Sequence, residues 1–295
     1  MIIILYKRLA VLLACLMLVT LLASCTKKTD GPFDGSYEIT VLSREEGSGT
    51  RGAFVELFGV EEKNSEGKKV DRTTVEANIS NSTAVVMTAV EGYRYAIGYI
   101  SLGSLNSGVK ALEIDGAAPT PENIADGSYA VARPFLLAHS EGLSTEAADF
   151  LTYILSAEGQ QVVADSGYIP LNTSDAYTGV GMTGKVVVAG SSSVTPVMEK
   201  LKESYLAHNP SVTIEVQQSD STTGITSVRD GIADLGMASR TLGESELAQG
   251  LIPVTIAMDG IVVIVNHENP IDGLTKEQVR GIYTGEVLTW GEVLS

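Results

Sequence analysis

The chain has 295 residues, 44% of them apolar and 19% charged, enough for a sizeable core and too apolar for disorder throughout. Its 20 Lys+Arg against 36 Asp+Glu give a formal charge of -16, which argues against nucleic acid as a partner, because duplex binding draws on basic residues that neutralise phosphates. Two cysteines, Cys15 and Cys25, exclude a disulfide-rich scaffold and a cysteine-ligated structural zinc; a small anion held by a few aimed N–H groups stays compatible with the acidic balance.

In chain order, Lys7 and Arg8 precede an apolar run from Leu9 to Leu22. That run is short for a membrane span, which needs ~20 residues, and suits the core of a secretory signal. It ends in Leu22-Ala23-Ser24-Cys25, which resembles the lipobox of bacterial lipoproteins, where the cysteine is lipidated and becomes the first mature residue. Residues 1–24 are therefore expected to be a lipoprotein signal peptide, Cys25 the point of lipidation and 25–36 a tether. A plain N-terminal anchor with an incidental cysteine is the alternative. Removal of Lys7 and Arg8 with the signal takes the formal charge to -18.

Beyond the tether, the alternation of Tyr37 to Leu42 predicts a strand, Thr50 to Phe58 a helix, Ser82 to Tyr93 a helix and "AIGYISLG" a strand. "APTPENIADGSY" reads as a loop with one helical turn, and "PFLLAH" as a strand. Ser144 then caps a long helix through about Ala164. Thr173 to Gly184, with three glycines and no apolar period, is a linker. A βαβ-like unit follows: "KVVVAG", a helix from "SSSVTP" to about Ala207, and "VTIEVQ". "DLGMAS" and "VTIAMDGIVVIVN" read as further strands, and Thr275 with Gln278 forms a capping-box pattern. Strands alternating with helices predict an α/β protein with largely parallel sheets.

Two places carry chemistry because a strand runs into a small, hydroxyl-rich turn that opens a helix: Glu46-Gly47-Ser48-Gly49-Thr50 and Gly190-Ser191-Ser192-Ser193-Val194-Thr195-Pro196. A helix start beyond a strand's carboxyl end presents unpaired N–H groups and the positive end of the helix dipole, which suits an oxyanion. Arg44 adds a guanidinium fork beside the first turn. Ser and Thr at such positions also serve as ordinary caps; two such turns together with an arginine favour anion binding. "QSDSTTGI", with Ser221, is a third turn of this kind, and "MASR" closes a strand in the same half of the chain. The three histidines lack metal-site spacing, and neither a nucleophile elbow nor a phosphate-loop motif occurs. No metal or other cofactor is expected.

Taken in series, "SREEGSGTRGAF", "IGYISLG", "GSSSVTPVMEKL", "DLGMASR" and "WGEV" resemble the PstS family of phosphate-binding proteins of bacterial ABC transporters, over nearly the whole chain after the leader. The resemblance implies a two-lobed α/β fold of the type II periplasmic-binding-protein-like class. The order of segments is unusual. In that family the counterpart of "KVVVAGSSSVTP" starts the mature protein and that of "SREEGSGTRGAF" follows a "W-x-E-V" segment, whereas here "WGEV" ends the chain. Circular permutation accounts for this, with residues 173–184 joining the old termini; a piece of a tandem array is the alternative. The family's topology implies one lobe from 131–259 and another from 37–130 plus 260–295, hinged near Ala130 and Gly260.

Carried over by position, Ser193 and the Val194 N–H match the family's first anion-binding turn and Ser221 its second. Arg44, Ser48, Gly49 and Thr50 match the cluster in the opposite lobe, with Glu46 steadying the arginine, and Ser239 is a further hydroxyl donor. Arg240 stands where well-known members carry an aspartate that accepts a hydrogen bond from protonated phosphate. That departure weakens the basis for phosphate selection unless Asp220 or Glu46 supplies an acceptor, and leaves Arg240 to an ion pair or to direct ligation. The implied function is capture of inorganic phosphate by lobe closure for an importer's permease subunits, without catalysis, by a lipid-anchored extracytoplasmic protein. A surface sensor or adhesion lipoprotein with altered or lost anion binding is the alternative.

Overall fold

Thr40–Arg44 forms the first strand, β1, and its pairing explains why it starts later than the alternation of Tyr37 to Leu42 predicts. Parallel pairing with Ala96 begins at Thr40, and Glu38 makes only an isolated bridge with Thr289. In the computed structural model, residues 31–179 and 181–294 are described. The chain divides into units of residues 1–34 and 35–295, and the described strands and helices all lie in the second. The signal peptide and residues 25–30 of the tether, Cys25 among them, lie outside the described residues.

From β1 the chain enters α1 (Gly49–Leu57), a short hairpin of β2 (Glu61–Lys63) and β3 (Lys69–Asp71), then β4 (Asn78–Ser80) and α2 (Thr83–Gly92). Strand β5 (Ala96–Ser101) runs into a 3-10 turn at Leu102–Ser104, followed by β6 (Lys110–Ala111), β7 (Glu113–Ile114) and α3 (Pro121–Ala125). After β8 (Ala132–His139) come α4 (Thr145–Leu155) and α5 (Ala157–Asp165), then β9 (Gly184–Ser191), α6 (Thr195–His208), β10 (Val212–Ser219), α7 (Ser221–Arg229) and β11 (Leu235–Ala238). Helix α8 (Glu244–Leu247), β12 (Ile252–Val265), β13 (Gly273–Leu274), α9 (Lys276–Thr284) and α10 (Trp290–Leu294) complete the path.

The single helix expected from Ser144 to Ala164 is two. Ser144 caps α4 as predicted, but Ser156 is extended (ψ 168°), its N–H and Oγ both donate to the Tyr153 carbonyl, and its Oγ accepts from the Gly159 N–H. One serine ends α4 and opens α5, and an apolar pattern on both sides hides the break. At α9 the capping box forms in full, with Thr275 Oγ1 accepting from the Gln278 N–H at 3.1 Å and Gln278 Oε1 from the Thr275 N–H at 2.8 Å.

The main sheet orders its strands β10-β9-β11-β8-β12-β5-β1-β4. Its two flanks are parallel as expected, but its centre is not: β11/β8, β8/β12 and β12/β5 all pair antiparallel. The 14-residue β12 causes this. Its first part, Ile252–Gly260, pairs with β8 through a bulge near Ile256, and its second part, Ile261–Val265, pairs with β5. One strand thus carries the backbone from the β9 half of the sheet into the β1 half. On the β9 side, Phe135, Phe150, Tyr153, Val188, Met198 and Tyr205 share one core. On the β1 side, Phe54 stacks on Tyr99 at 3.9 Å between ring centres, and the buried Trp290 donates Nε1–H to the Tyr95 carbonyl.

Candidate functional site

Every hydroxyl-rich turn lies at the carboxyl end of a strand, where the next helix begins. Ser48 caps α1 and accepts from the Arg51 N–H at 3.3 Å; Thr50 is the second residue of that helix. Ser191, Ser192 and Ser193 form the turn from β9 into α6, Ser221 opens α7 behind its cap Asp220, and Ser239 follows β11. All of these serines and Thr50 are buried.

The fold brings turns from both halves of the sheet into contact. Thr50 Oγ1 lies 2.8 Å from Ser193 Oγ and 3.5 Å from Ser239 Oγ. Ser239 Oγ accepts from Ser191 Oγ at 3.0 Å and lies 3.4 Å from Ser221 Oγ, while Ser221 Oγ accepts the Ser239 N–H at 3.1 Å. Gly49 lies directly against Ser221 and Ser239, where any side chain would collide with their hydroxyls. The Val194 N–H, assigned by resemblance to the anion, donates here to the Ser191 carbonyl at 3.1 Å and closes the turn. Ser48 lies beside the cluster as a cap.

Arg44, at the end of β1, is 2% exposed. Its Nε and Nη2 donate to Glu45 at 2.8 Å each, Nη1 to Thr83 Oγ1 at 3.3 Å and Nη2 to Ser192 Oγ at 3.0 Å. The carboxylate steadying the arginine is therefore Glu45. The expectation of Glu46 is corrected: β1 ends at Arg44, so strand alternation no longer governs the next residues, and the turn after it leaves Glu46 exposed while Glu45 meets the guanidinium. Asp220 is committed as the cap of α7, accepting from the Thr223 N–H at 2.9 Å and Thr223 Oγ1 at 2.6 Å. Arg240 pairs with Glu246 through two bonds of 2.8 and 2.7 Å.

Sequence reasoning missed Thr83, whose Oγ1 touches both Arg44 and Ser193 (3.2 Å). The signal was present: "SNST" joins β4 to α2 with the same strand-to-helix chemistry, and Ser82 caps that helix. Ser192, in the turn from β9 into α6, is a second such residue, since its hydroxyl meets Arg44.

Behind the cluster, Arg133 on β8 faces Asp259 on β12 across their strand register. Asp259 is fully buried and accepts from Arg133 Nη2 at 3.1 Å, Ser101 Oγ at 2.8 Å and the Leu102 N–H at 3.1 Å. Burial pushes its pKa up to about 6 despite the neighbouring guanidinium, and burial likewise lowers that of Arg133. Asp259 lies at the switch of β12 from β8 to β5.

A cluster of hydroxyls that can each donate or accept, with one buried guanidinium and several helix N-termini, has the chemistry to replace the hydration shell of a tetrahedral oxyanion. The PBP superfamily domain matches residues 31–158 and 175–295, and the chain belongs to that superfamily and, within it, to the PstS family. A phosphate-binding protein PstS 2 of Streptococcus agalactiae serotype V is 52% identical over 279 residues, 94% of each chain. The crystal structure of a phosphate-binding protein of a phosphate ABC transporter from Streptococcus pneumoniae TIGR4 is 44% identical, with TM-score 0.69, over 87% of this chain and 99% of that one. A phosphate-binding protein PstS of Staphylococcus saprophyticus is 36% identical over 117 residues, 37% of each chain. The fold is the α/β, two-lobed PBP-like fold.

Proposed function

We propose that this chain captures inorganic phosphate outside the cytoplasm and hands it to the permease subunits of an ABC importer, by binding and without catalysis. The convergence of Thr50, Thr83, Ser193, Ser221 and Ser239 on one buried centre beside Arg44 carries this reading. Phosphate would insert among hydroxyls that now bond to one another, with Arg44 opposing its charge and Ser48, Gly49 and Val194 shaping the turns around it. The intact cluster favours capture over the sensor or adhesion alternative, which rests on an altered pocket.

The lobes proposed are 37–130 with 260–295, and 131–259. The strand register supports a hinge at Gly260, since β12 changes partners between Gly260 and Ile261. Closure would couple occupancy to recognition by the importer. Circular permutation is supported by the contrast between a relative matched over 94% of its length and one matched over only 37%, as expected when two chains share segments in different order. PstS-type proteins are extracytoplasmic, and among the described residues no helix is long and apolar enough to cross a membrane. A lipid at Cys25 would hold the protein to the membrane's outer face; loss of Cys25→Ser from the membrane fraction tests that anchor.

Titration calorimetry of the full chain with phosphate tests the function. Saturable binding at one site is expected, and its absence rejects the reading.

A further inference from the structure

Beside the hydroxyl cluster, the two halves of the sheet meet through contacts that ligation of an anion does not require. Gly47, in the turn from β1 to α1, presents its carbonyl oxygen to Thr222, the second residue of α7. It accepts both the Thr222 N–H and Thr222 Oγ1–H, each at 3.2 Å. The Thr222 N–H belongs to the first turn of a helix and has no partner within it, so Gly47 completes α7 from the opposite half of the sheet. Thr222 Oγ1 also accepts from Arg240 Nη2 at 3.4 Å, which leaves its own proton for Gly47. Glu246 fixes Arg240 through its two-pronged pair while accepting the Gly243 N–H at 2.7 Å. Hydrogen bonding from Arg240 holds the Glu246 carboxyl below its usual range, which keeps it ionised at neutral pH.

The approach is close enough to need bare backbone. A methyl group on Gly47 would overlap the Asp220 carboxylate, and one on Gly49 would meet Arg240 Cγ at 3.1 Å as well as the two serine hydroxyls. Neither glycine has a positive φ, so proximity rather than turn geometry calls for glycine here.

We propose that Gly47 and Thr222, buttressed by Arg240 and Glu246, form an interlobe latch that sets anion affinity without touching the anion. The proposal rests on the phosphate-capture reading for its functional consequence. A bond made only when the halves are together raises the closed fraction, and apparent affinity scales with that fraction. Arg240 thereby acts as a positioning residue, away from the ligand, through Thr222.

The test uses the full chain with Thr222→Val, which keeps the N–H and loses the hydroxyl, and Gly47→Ala. Thr222→Val should bind phosphate about three- to tenfold more weakly, mainly through faster release in stopped-flow measurements, and Gly47→Ala at least as weakly. Ligand-free melting of Thr222→Val should stay within about 2 °C of the wild type. Hydrogen exchange at the Thr222 amide should slow on adding phosphate to the wild type and slow less in Gly47→Ala. Wild-type affinity in both variants overturns the latch, as does a drop in ligand-free melting temperature that parallels the affinity loss. If the wild type fails to bind phosphate, the capture reading falls and the latch is judged alone on ligand-free exchange at Thr222. Faster exchange in Gly47→Ala then upholds it; equal exchange rejects it.

Discussion

Arg44 is a full charge withdrawn from water, and what surrounds it decides whether that costs or helps. Glu45 neutralises it with two parallel bonds, Thr83 and Ser192 accept from its Nη1 and Nη2, and the Ser80 carbonyl shares the Nε–H with Glu45. Truncating the guanidinium would leave a bound anion desolvated without its charge partner, which costs about 2–5 kcal/mol of binding free energy. Arg44→Ala should therefore reduce phosphate affinity by several hundredfold or more, read by calorimetry. Glu45→Gln should weaken binding by at least tenfold because the guanidinium loses its fixed orientation, whereas Glu46→Gln should leave binding within about twofold. Equal effects of the two glutamines would show that the pairing seen here does not govern the site. Two adjacent glutamates are indistinguishable by composition, and only the path of the turn after β1 separates them.

At the scale of elements, β8 and β12 carry the backbone between the halves, and the pair Arg133–Asp259 bridges them. Asp259 keeps its proton to about pH 6 in the folded chain because burial penalises the carboxylate, while in the unfolded chain it ionises near the usual 3.8. The folded state thus binds a proton more tightly. This group's contribution to stability is complete below about pH 4, declines as pH rises through 6 and is constant above. Relative to Asp259→Asn, the wild type should lose about 1–3 kcal/mol of denaturant-measured stability between pH 4 and pH 7. A difference independent of pH would contradict a buried, proton-retaining Asp259. The helices were more predictable than this strand pair. Caps at Ser144 and Thr275 are local chemistry and form as predicted, while the break at Ser156 interrupts a pattern that stays apolar on both sides.

For the molecule as a whole, the ends of the described fold are adjacent: the Trp290 N–H donates to the Tyr37 carbonyl at 3.4 Å and the Gly291 N–H to the Gly35 carbonyl at 2.6 Å. Among its described residues, the linker at 173–184 lacks regular structure up to the start of β9, and Tyr177 moors it through Asp149 and Asn209. If the family order has been permuted, joining Leu294 to Gly35 by a short linker and reopening the chain between Thr178 and Gly179, with 1–34 kept in front, should preserve cooperative unfolding. Phosphate affinity should stay within about threefold. An aggregated or non-cooperative product would count against the permutation.

Local sequence specifies the alternation of strands and helices and the turns that hold Thr50, Ser193 and Ser221, and it predicts a leader ahead of Cys25. Each depends on residues a few positions apart, where capping and periodicity act. It takes the folded chain to bring Thr83 and Ser192 to Arg44, to pair Glu45 rather than Glu46 with it, and to turn the sheet's centre antiparallel through β12. The first and third depend on contacts between residues as far apart as Arg44 and Ser192, and the second on how the chain turns after β1, which no local pattern encodes.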